Sequence, residues 1–195
     1  MNNTQKQIGL YFGSFNPPHI GHMAIANYII EFGDIDELWF VVSPQNPVKD
    51  KSILIQARTR LELVRRSIGD FEKMRVSDIE FDLPTPNYTI NTLVALEKKY
   101  PKYNFCLIMG MDNLQTLNKW KAWETIVEEY KIIVYPRLEA IGGDFIKHKN
   151  ITIVDAPIMK ISSSFIRKSI SENKNMRFFL REEVYNMIEK ENLYK

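Results

Sequence analysis

The chain has 195 residues, 45% of them hydrophobic, and this length predicts a single domain with one sizeable core. Its 26 lysines and arginines against 24 aspartates and glutamates do not give the basic excess expected of a protein that neutralises nucleic-acid phosphates. The single cysteine, Cys106, excludes a disulfide framework, and no uncharged run reaches membrane-spanning length, so we expect a cytoplasmic protein that binds neither nucleic acid nor membranes.

Short apolar runs alternate with segments of helical period along the chain. We interpret these apolar runs as strands: QIGLYF, ELWFVVS, the weaker MRVSDIEF, NFCLIMG, KIIVYP and NITIVDA. Between them we expect helices in GHMAIANYIIEFG, QARTRLELVRRSIG, TINTLVALEKKY with Thr89 as its cap, and AWETIVEEY. This alternation predicts an α/β fold, a Rossmann-like doubly wound parallel sheet.

Two more helices, at about 163–172 and 180–191, are expected to pack onto the sheet as a small C-terminal helical cap. The sequence contains no internal repeat, low-complexity tract or linker-like stretch. We therefore predict one domain over residues 1–195, with residues from about 160 to 195 as its helical C-terminal part.

The stretch GSFNPPHIGH, residues 13–22, directly follows the first predicted strand, where ligands of open parallel sheets bind. Gly13 allows a close turn, and the main-chain amides of Ser14 and Phe15 can then approach an anionic group. Two prolines stiffen the loop, and His19 and His22 stand at the start of the next helix, where the helix dipole favours negative charge. The imidazoles could also bind a metal, but no third ligand with suitable spacing is apparent, so the pattern favours phosphate binding.

A second phosphate site is predicted in KISSSFIRKSI, residues 160–170. Three successive serines precede a helix and offer an N-cap hydroxyl and further donors beside unpaired helix amides. Arg167 follows Ser163 by four residues and lies one turn further along the same helix face. The hydroxyls of Ser162 and Ser163 and the guanidinium can thus converge on one polyphosphate. For this segment alone, an ordinary serine cap with a surface arginine is the alternative.

The first stretch matches the pattern G-x-F-x-P-x-H-x-G-H, and His19 to His22 read HIGH. It resembles the signature of the nucleotidyltransferase superfamily related to class I aminoacyl-tRNA synthetases, in which an aspartate usually stands at the position of Asn16. The second segment is similar to the I-S-S/T-T-x-I-R motif of that superfamily, with Ser164 where threonine is common. A KMSKS-type segment is lacking, which argues against an RNA-binding relative of the synthetases.

PNYTINTL at 86–93 and GMDNLQTLNKW at 110–120 resemble the Y-T-x-x-T-L and G-x-D-x-L-x-x-x-x-x-W elements of nicotinate-nucleotide adenylyltransferases. The terminal FLREEVYNMI resembles the L-P-x-x-V-x-x-Y-I helix of this family, with Arg181 in place of the proline. The resemblance implies adenylyl transfer from ATP to nicotinate mononucleotide, which gives deamido-NAD and pyrophosphate in NAD biosynthesis. It also implies Mg²⁺ that is carried by the ATP phosphates, so no protein ligand is predicted for the metal.

The resemblance and the chemistry of the reactants assign the predicted site residues. His19, His22 and Arg167 would be catalytic. The ATP contacts would be Gly13, Ser14, Phe15, His19, His22, Gly110, Asp112, Ser162, Ser163 and Arg167. The contacts of nicotinate mononucleotide would be Asn46 and Lys49 in SPQNPVKDK, Tyr88, Thr89, Trp120 and Arg137. A helix opened by Thr89 can offer amides to the carboxylate, and the Trp120 indole can stack on the pyridinium ring.

Other functions stay open at this point. The chain could be another adenylyl- or cytidylyltransferase of the superfamily, with nicotinamide mononucleotide or phosphopantetheine as acceptor. It could also be a non-catalytic nucleotide sensor, although the intact histidines and Arg167 count against this. The oligomeric state is not predicted by the sequence.

Overall fold

The computed structural model describes residues 5–44 and 54–195, and its centre is a sheet of six strands. The strands are β1 (Lys6–Gly13), β2 (Glu37–Val42), β3 (Met74–Ser77), β4 (Tyr103–Gly110), β5 (Lys131–Tyr135) and β6 (Ile151–Ile153). Their order across the sheet is β3-β2-β1-β4-β5-β6, and all neighbours pair in parallel. The strand order reverses between β1 and β4, and such a switch point is where parallel sheets bind ligands.

Helices cover both faces of this sheet. They are α1 (Ile20–Phe32), α2 (Ala57–Ile68), α3 (Thr89–Lys99), α4 (Met111–Gln115), α5 (Trp123–Glu129), α6 (Ser163–Ser171) and α7 (Glu182–Lys190). Short 3₁₀ helices lie at Ile79–Asp82, Leu117–Lys119, Gly143–Lys147 and Arg177–Phe179. Within the two described ranges, no helix is long and apolar enough to cross a membrane.

Two apolar cores lie on opposite faces of the sheet. Side chains alternate along β4, so that Cys106 and Ile108 pack on the face of α1 while Leu107 and Met109 pack on the face of α3, α4 and α5. Strands buried on both faces read as continuous apolar runs, which is why they are recognisable in the sequence. The predicted doubly wound parallel sheet is confirmed. Burial raises the pKa of the Cys106 thiol to about 12, which makes it an unreactive core residue.

The C-terminal helices pack on helix α2. The core that they share with it contains Leu63, Ile166, Ile170, Met176, Leu180, Val184, Met187 and Ile188. The predicted helical cap is therefore present, but the expectation that it packs onto the sheet is wrong, because other helices already cover both sheet faces. Arg181 is the N-cap of α7 with a φ of −64°, a value that proline also adopts, so the replacement of the proline keeps the start of this helix.

Two local predictions differ from the structure, and one short helix has no counterpart among the predictions. Only Met74–Ser77 of MRVSDIEF is a strand, because the chain then turns into the 3₁₀ helix Ile79–Asp82. Tyr88, and not Thr89, is the N-cap of α3, and its side chain makes no capping bond, so Thr89 is the first helical residue. Helix α4 was not predicted, because five residues are too few to show a helical period.

Candidate active site

The loop after β1 is shaped by the packing of Phe15 back onto Gly13. A Cβ at Gly13 would lie 2.8 Å from the Phe15 ring, so only glycine fits at this end of the strand. Phe15 has a φ of +45°, in the left-handed region, and its buried ring packs edge-on against Tyr11 and Phe40. These ring contacts hold a main-chain conformation that is uncommon outside glycine. The core thus fixes the loop in which the sequence predicts an anion-binding turn.

His19 and His22 lie together at the N-terminus of α1. His19 is the N-cap and His22 is the third helical residue. The main-chain N–H of His19 donates to Nδ1 of His22 over 3.2 Å, and the two rings stack with their centroids 3.7 Å apart. Because Nδ1 of His22 accepts this bond, a neutral His22 carries its proton on Nε2. A Cβ at Gly21 would lie 3.0 Å from Nδ1 of His19, so the glycine leaves room for this ring.

His19 is only 5% exposed, and Nδ1 of its ring has no hydrogen-bond partner within the described ranges. Burial, followed by the positive charge of Arg137, lowers the pKa of His19 from 6.5 to about 4. The imidazole is therefore neutral at pH 7. It can donate one hydrogen bond and accept another without adding a net charge to the site.

The serine-rich segment lies directly beside this loop, although 146 residues separate Ser163 from Pro17. Ser162 caps α6, because its Oγ accepts a main-chain N–H of the first turn over 3.1 Å. The Ser163 hydroxyl donates to the carbonyl of Pro17 over 2.8 Å, and Nη1 of Arg167 donates to the carbonyl of Asn16 over 2.8 Å. The two segments in which the sequence predicts phosphate sites are therefore in contact.

Arg137, which follows β5, contacts residues at the ends of the neighbouring strands. Its Nη2 donates to the Tyr135 hydroxyl over 3.1 Å, and that hydroxyl lies 3.3 Å from the Tyr11 hydroxyl. Its Nε lies 3.8 Å from Oδ1 of Asp112, and this carboxylate fills the space beside Gly110 that a Cβ would need. The sequence assigns Arg137 to the acceptor, and in the structure this side chain contacts both Tyr135 and Asp112, of which Asp112 belongs to the predicted ATP set.

Other residues of the predicted acceptor set lie around the start of α3. Tyr88 and Thr89 form this helix start, and Nζ of Lys121 lies 4.6 Å from the centre of the Tyr88 ring. The neighbouring Trp120 is half-buried and packs against the core beneath α3, α4 and α5. The structure thus brings the Tyr-Thr element and the Trp120 segment to the same region. Asn46 and Lys49 lie outside the described residues.

Arg60 is a buried residue beside this site that sequence reasoning missed, and it is 0% exposed. Its Nη1 donates to the carbonyls of Ser14 over 2.7 Å and Ser43 over 2.8 Å. Its Nη2 donates to the carbonyl of Pro44 over 2.9 Å, and its Nε donates to that of Ile55 over 3.1 Å. One guanidinium therefore ties the loop after β1 to the loop after β2.

The sequence contains a signal for the burial of Arg60. It precedes Leu63 by three and Val64 by four residues, so it belongs to the apolar stripe of α2. An arginine in such a stripe needs hydrogen-bond partners inside the protein, because burial of an unsatisfied charge is costly. The carbonyls that follow β1 and β2 supply those partners.

Glu80 is a second buried charged residue that sequence reasoning missed. The Thr92 hydroxyl donates to its Oε1 over 2.8 Å, and the Asn87 side chain donates to its main-chain carbonyl over 3.0 Å. Burial raises the pKa of the Glu80 carboxyl, while hydrogen bonds from Thr92 and Ser43 act in the opposite direction. The second threonine of Y-T-x-x-T-L therefore has a structural partner in Glu80.

Residues 10–169 match the protein family described as cytidylyltransferase-like. Two similar relatives are the probable nicotinate-nucleotide adenylyltransferases of Flavobacterium psychrophilum and Christiangramia forsetii. Each is 50% identical, and the matches cover 97% of this chain and 99% of each relative. Nicotinic acid mononucleotide adenylyltransferase of Plasmodium falciparum complexed with NaAD superposes with a TM-score of 0.81 at 22% identity, over 97% of both chains. The structure of that protein complexed with APC gives 0.80, so both share the fold.

The family match spans most of the chain, and relatives at half identity span nearly all of it. The chain therefore belongs to the cytidylyltransferase-like family and, within it, to the nicotinate-nucleotide adenylyltransferases.

Proposed function

We propose that this chain transfers the adenylyl group of ATP to nicotinate mononucleotide and forms deamido-NAD and pyrophosphate in NAD biosynthesis. The observation that carries this proposal is the contact of Ser163 and Arg167 with the loop 13–22. That contact brings hydroxyls, a guanidinium, two imidazoles and two helix N-termini to the carboxyl end of β1. The names of relatives at 50% identity support the same reaction.

In this reaction an oxygen of the mononucleotide phosphate attacks the α-phosphorus of ATP in line. A new phosphorus–oxygen bond forms while the bond to the bridging oxygen breaks, and pyrophosphate leaves with that electron pair. The nucleophile is largely ionised at neutral pH, because the second pKa of a phosphate monoester is about 6. No residue therefore has to remove a proton. The protein has to hold two anions in line and stabilise charge on the equatorial and leaving oxygens.

His19 and His22 act in this proposal as hydrogen-bond donors to the transferring and leaving phosphates. Burial keeps His19 neutral at pH 7, and the bond from its main chain places the proton of neutral His22 on Nε2. Neutral donors need no charge of their own, because the N-terminus of α1 already favours anions. The main-chain amides from Gly13 to Phe15 bind ATP at the turn, and Gly110 and Asp112 complete the nucleotide site.

Ser162, Ser163 and Arg167 bind the β- and γ-phosphates. A guanidinium has five N–H donors, so Arg167 can hold the carbonyl of Asn16 and a phosphate at the same time. The contact between residues 160–170 and the loop 13–22 also supports one nucleotidyltransferase domain over residues 1–195, in which the helical C-terminal part completes the site.

Nicotinate mononucleotide binds at the start of α3. The amides of the first turn, at Thr89, attract the carboxylate, and Tyr88 and Trp120 offer flat faces to the pyridinium ring. Asn46 and Lys49 are further contacts in this proposal. Arg137, which lies between Asp112 and Tyr135, contacts the mononucleotide where the two substrates meet.

ATP carries Mg²⁺ in this proposal. In the part of the chain that the structure describes, no group of three or more His, Cys, Asp or Glu side chains could hold a metal ion. Magnesium is usually held by phosphate oxygens and water, so no protein ligand is assigned to it in this proposal. Bound in this way, the ion would supply positive charge to the phosphates.

Product identification tests the proposed reaction. We expect the purified protein to convert ATP and nicotinate mononucleotide into deamido-NAD and pyrophosphate in equal amounts, with no product when either substrate is omitted. Binding of ATP without release of pyrophosphate would support a nucleotide sensor instead. Turnover with phosphopantetheine alone would make the chain an adenylyltransferase for another acceptor.

A further inference from the structure

Tyr194, the penultimate residue of the chain, reaches the loop 13–22. Its hydroxyl donates to Oδ1 of Asn16 over 2.9 Å, although 178 residues separate the two. Asn16 is 3% exposed and stands where the superfamily usually has an aspartate. The C-terminus of the chain therefore contacts the side chain at which this signature differs from its common form.

The end of helix α7 directs Tyr194 to this position. The N–H of Leu193 donates to the carbonyl of Ile188 over 3.0 Å, and the N–H of Asn192 donates to the carbonyl of Glu189 over 3.3 Å. Asn192 has a φ of +50°. These bonds and this left-handed residue form a Schellman motif, which ends a helix and turns the chain back. Asparagine tolerates the left-handed conformation better than most residues, so the sequence encodes this turn.

The loop is held at neighbouring points by two arginines. Arg167 donates to the main-chain carbonyl of Asn16 over 2.8 Å, and Arg60 donates to that of Ser14 over 2.7 Å. Both positive charges lie close enough to lower the pKa of Tyr194, but burial raises it well above its usual value. The phenol is therefore protonated at neutral pH and can donate its hydrogen bond.

We infer that Tyr194 is a positioning residue for ATP, because its hydroxyl fixes the side chain of Asn16 and with it the loop between Gly13 and His19. This inference rests on the proposed function. Arg60 and Arg167 fix main-chain carbonyls of the loop, whereas Tyr194 fixes the orientation of an amide side chain within it. A loop that must approach a triphosphate closely loses affinity when such a bond is removed, because the ordering of the loop is then a cost of binding.

The test compares Tyr194→Phe with Tyr185→Phe as its matched control. Tyr185 also packs beside the core of α7, and both changes remove one phenolic oxygen. For each variant we would measure the Kd of a non-hydrolysable ATP analogue, the KM values of ATP and nicotinate mononucleotide, and the Tm. We expect Tyr194→Phe to raise the Kd and the KM of the nucleotide by about fivefold, with an unchanged KM for the mononucleotide. Tyr185→Phe should leave all three constants unchanged.

Asn16→Ala provides the second arm of the test. If Tyr194 acts through Asn16, Tyr194→Phe should have no further effect on nucleotide affinity when Asn16 is already alanine. Additive effects of the two changes would overturn the inference. Equal nucleotide affinity in the wild-type protein and in Tyr194→Phe would also overturn it, as would a fall in Tm alone, which indicates a merely structural role.

A pair of truncated chains checks the same contact without a substituted side chain. Removal of Lys195 alone should leave nucleotide affinity unchanged, whereas removal of Tyr194 and Lys195 should weaken it as Tyr194→Phe does. The binding measurement needs no acceptor, so it separates the two proposals. If the wild-type protein binds the analogue but makes no deamido-NAD, the proposed function fails while the role of Tyr194 is still decided.

Discussion

Burial makes the charge of His19 depend on folding. The pKa of this imidazole falls from 6.5 to about 4 in the folded chain, first because of burial and then because of Arg137. Between these two values the unfolded chain binds a proton that the folded chain does not bind. The free energy of unfolding therefore falls as the pH is lowered from about 6.5 to about 4. Above about pH 6.5 the stabilising contribution of neutral His19 is fully present.

We predict that His19→Asn removes this pH dependence. On lowering the pH from 7 to 5, the free energy of unfolding of the wild-type protein should fall by about 2 kcal/mol more than that of the variant. Asparagine has no titratable group but keeps a polar side chain near the position of the ring. Urea unfolding at both pH values measures the difference. An equal change in the free energy of unfolding in the two proteins would contradict a depressed pKa of His19.

His19→Ala should reduce kcat much more than it raises the KM of either substrate. The reason is that a donor to the transferring phosphate forms a stronger hydrogen bond as negative charge redistributes in the transition state. Loss of one such donor costs about a hundredfold in kcat. Steady-state kinetics measures both constants. A change confined to KM would mean that His19 only binds the ground state.

At the scale of elements, helix α2 fastens two strand ends to each other. Arg60 is fully buried and donates to carbonyls that follow β1 and β2. Within residues 5–44 and 54–195, no carboxylate forms an ion pair with Arg60, so carbonyl dipoles solvate its charge. The loop that carries the histidines therefore depends on a helix that contributes no residue to the proposed chemistry.

Arg60→Met should destabilise the protein by about 3 kcal/mol, because the change leaves buried carbonyls without their donor. Arg66→Met on the same helix is the control. The Arg66 side chain is 46% exposed and pairs with Glu62, and such a surface pair contributes at most about 1 kcal/mol. Chemical denaturation of both variants gives the comparison. Similar losses at the two positions would show that the carbonyl bonds of Arg60 contribute little.

Trp120 lies in the connection between α4 and α5, beside the start of α3. Trp120 is half-buried, and the neighbouring Lys121 lies over the ring of Tyr88 at the start of α3. Trp120→Ala should raise the KM of nicotinate mononucleotide by about tenfold with little effect on that of ATP, since stacking on a cationic ring is lost. Kinetics with each substrate varied in turn measures this. Equal losses for both substrates would assign Trp120 to packing alone.

Across the whole molecule, the buried strands, the histidine loop and the serine-rich helix start could be located from the sequence, because their signals are local. β2 and β4 are continuous apolar runs, and the histidine loop and the serine-rich helix start are short motifs at a strand end and a helix cap. Their contact through Ser163 and Arg167 agrees with the topology of parallel sheets, which gathers loops at one edge.

The interactions that sequence reasoning missed are non-local. Arginine and glutamate usually lie at the surface, yet Arg60 and Glu80 are both buried. Main-chain carbonyls accept hydrogen bonds from Arg60, and the Thr92 hydroxyl donates to Oε1 of Glu80. The bond from Tyr194 to Asn16 joins residues that are 178 positions apart, so no local pattern in the sequence indicates it. The C-terminal helices have a clear apolar periodicity, which indicates a buried face. This periodicity does not indicate whether that face packs against a sheet or against a helix.

The preference for nicotinate mononucleotide over nicotinamide mononucleotide depends on the whole proposed site. The start of α3 attracts a carboxylate more strongly than a neutral amide, because the helix dipole places positive potential there. Pyrophosphate release from ATP, measured with nicotinate mononucleotide and with nicotinamide mononucleotide side by side, tests this preference. We predict a kcat/KM for the acid at least about tenfold above that for the amide, a difference of about 1.4 kcal/mol. An equal or higher value for nicotinamide mononucleotide would contradict it.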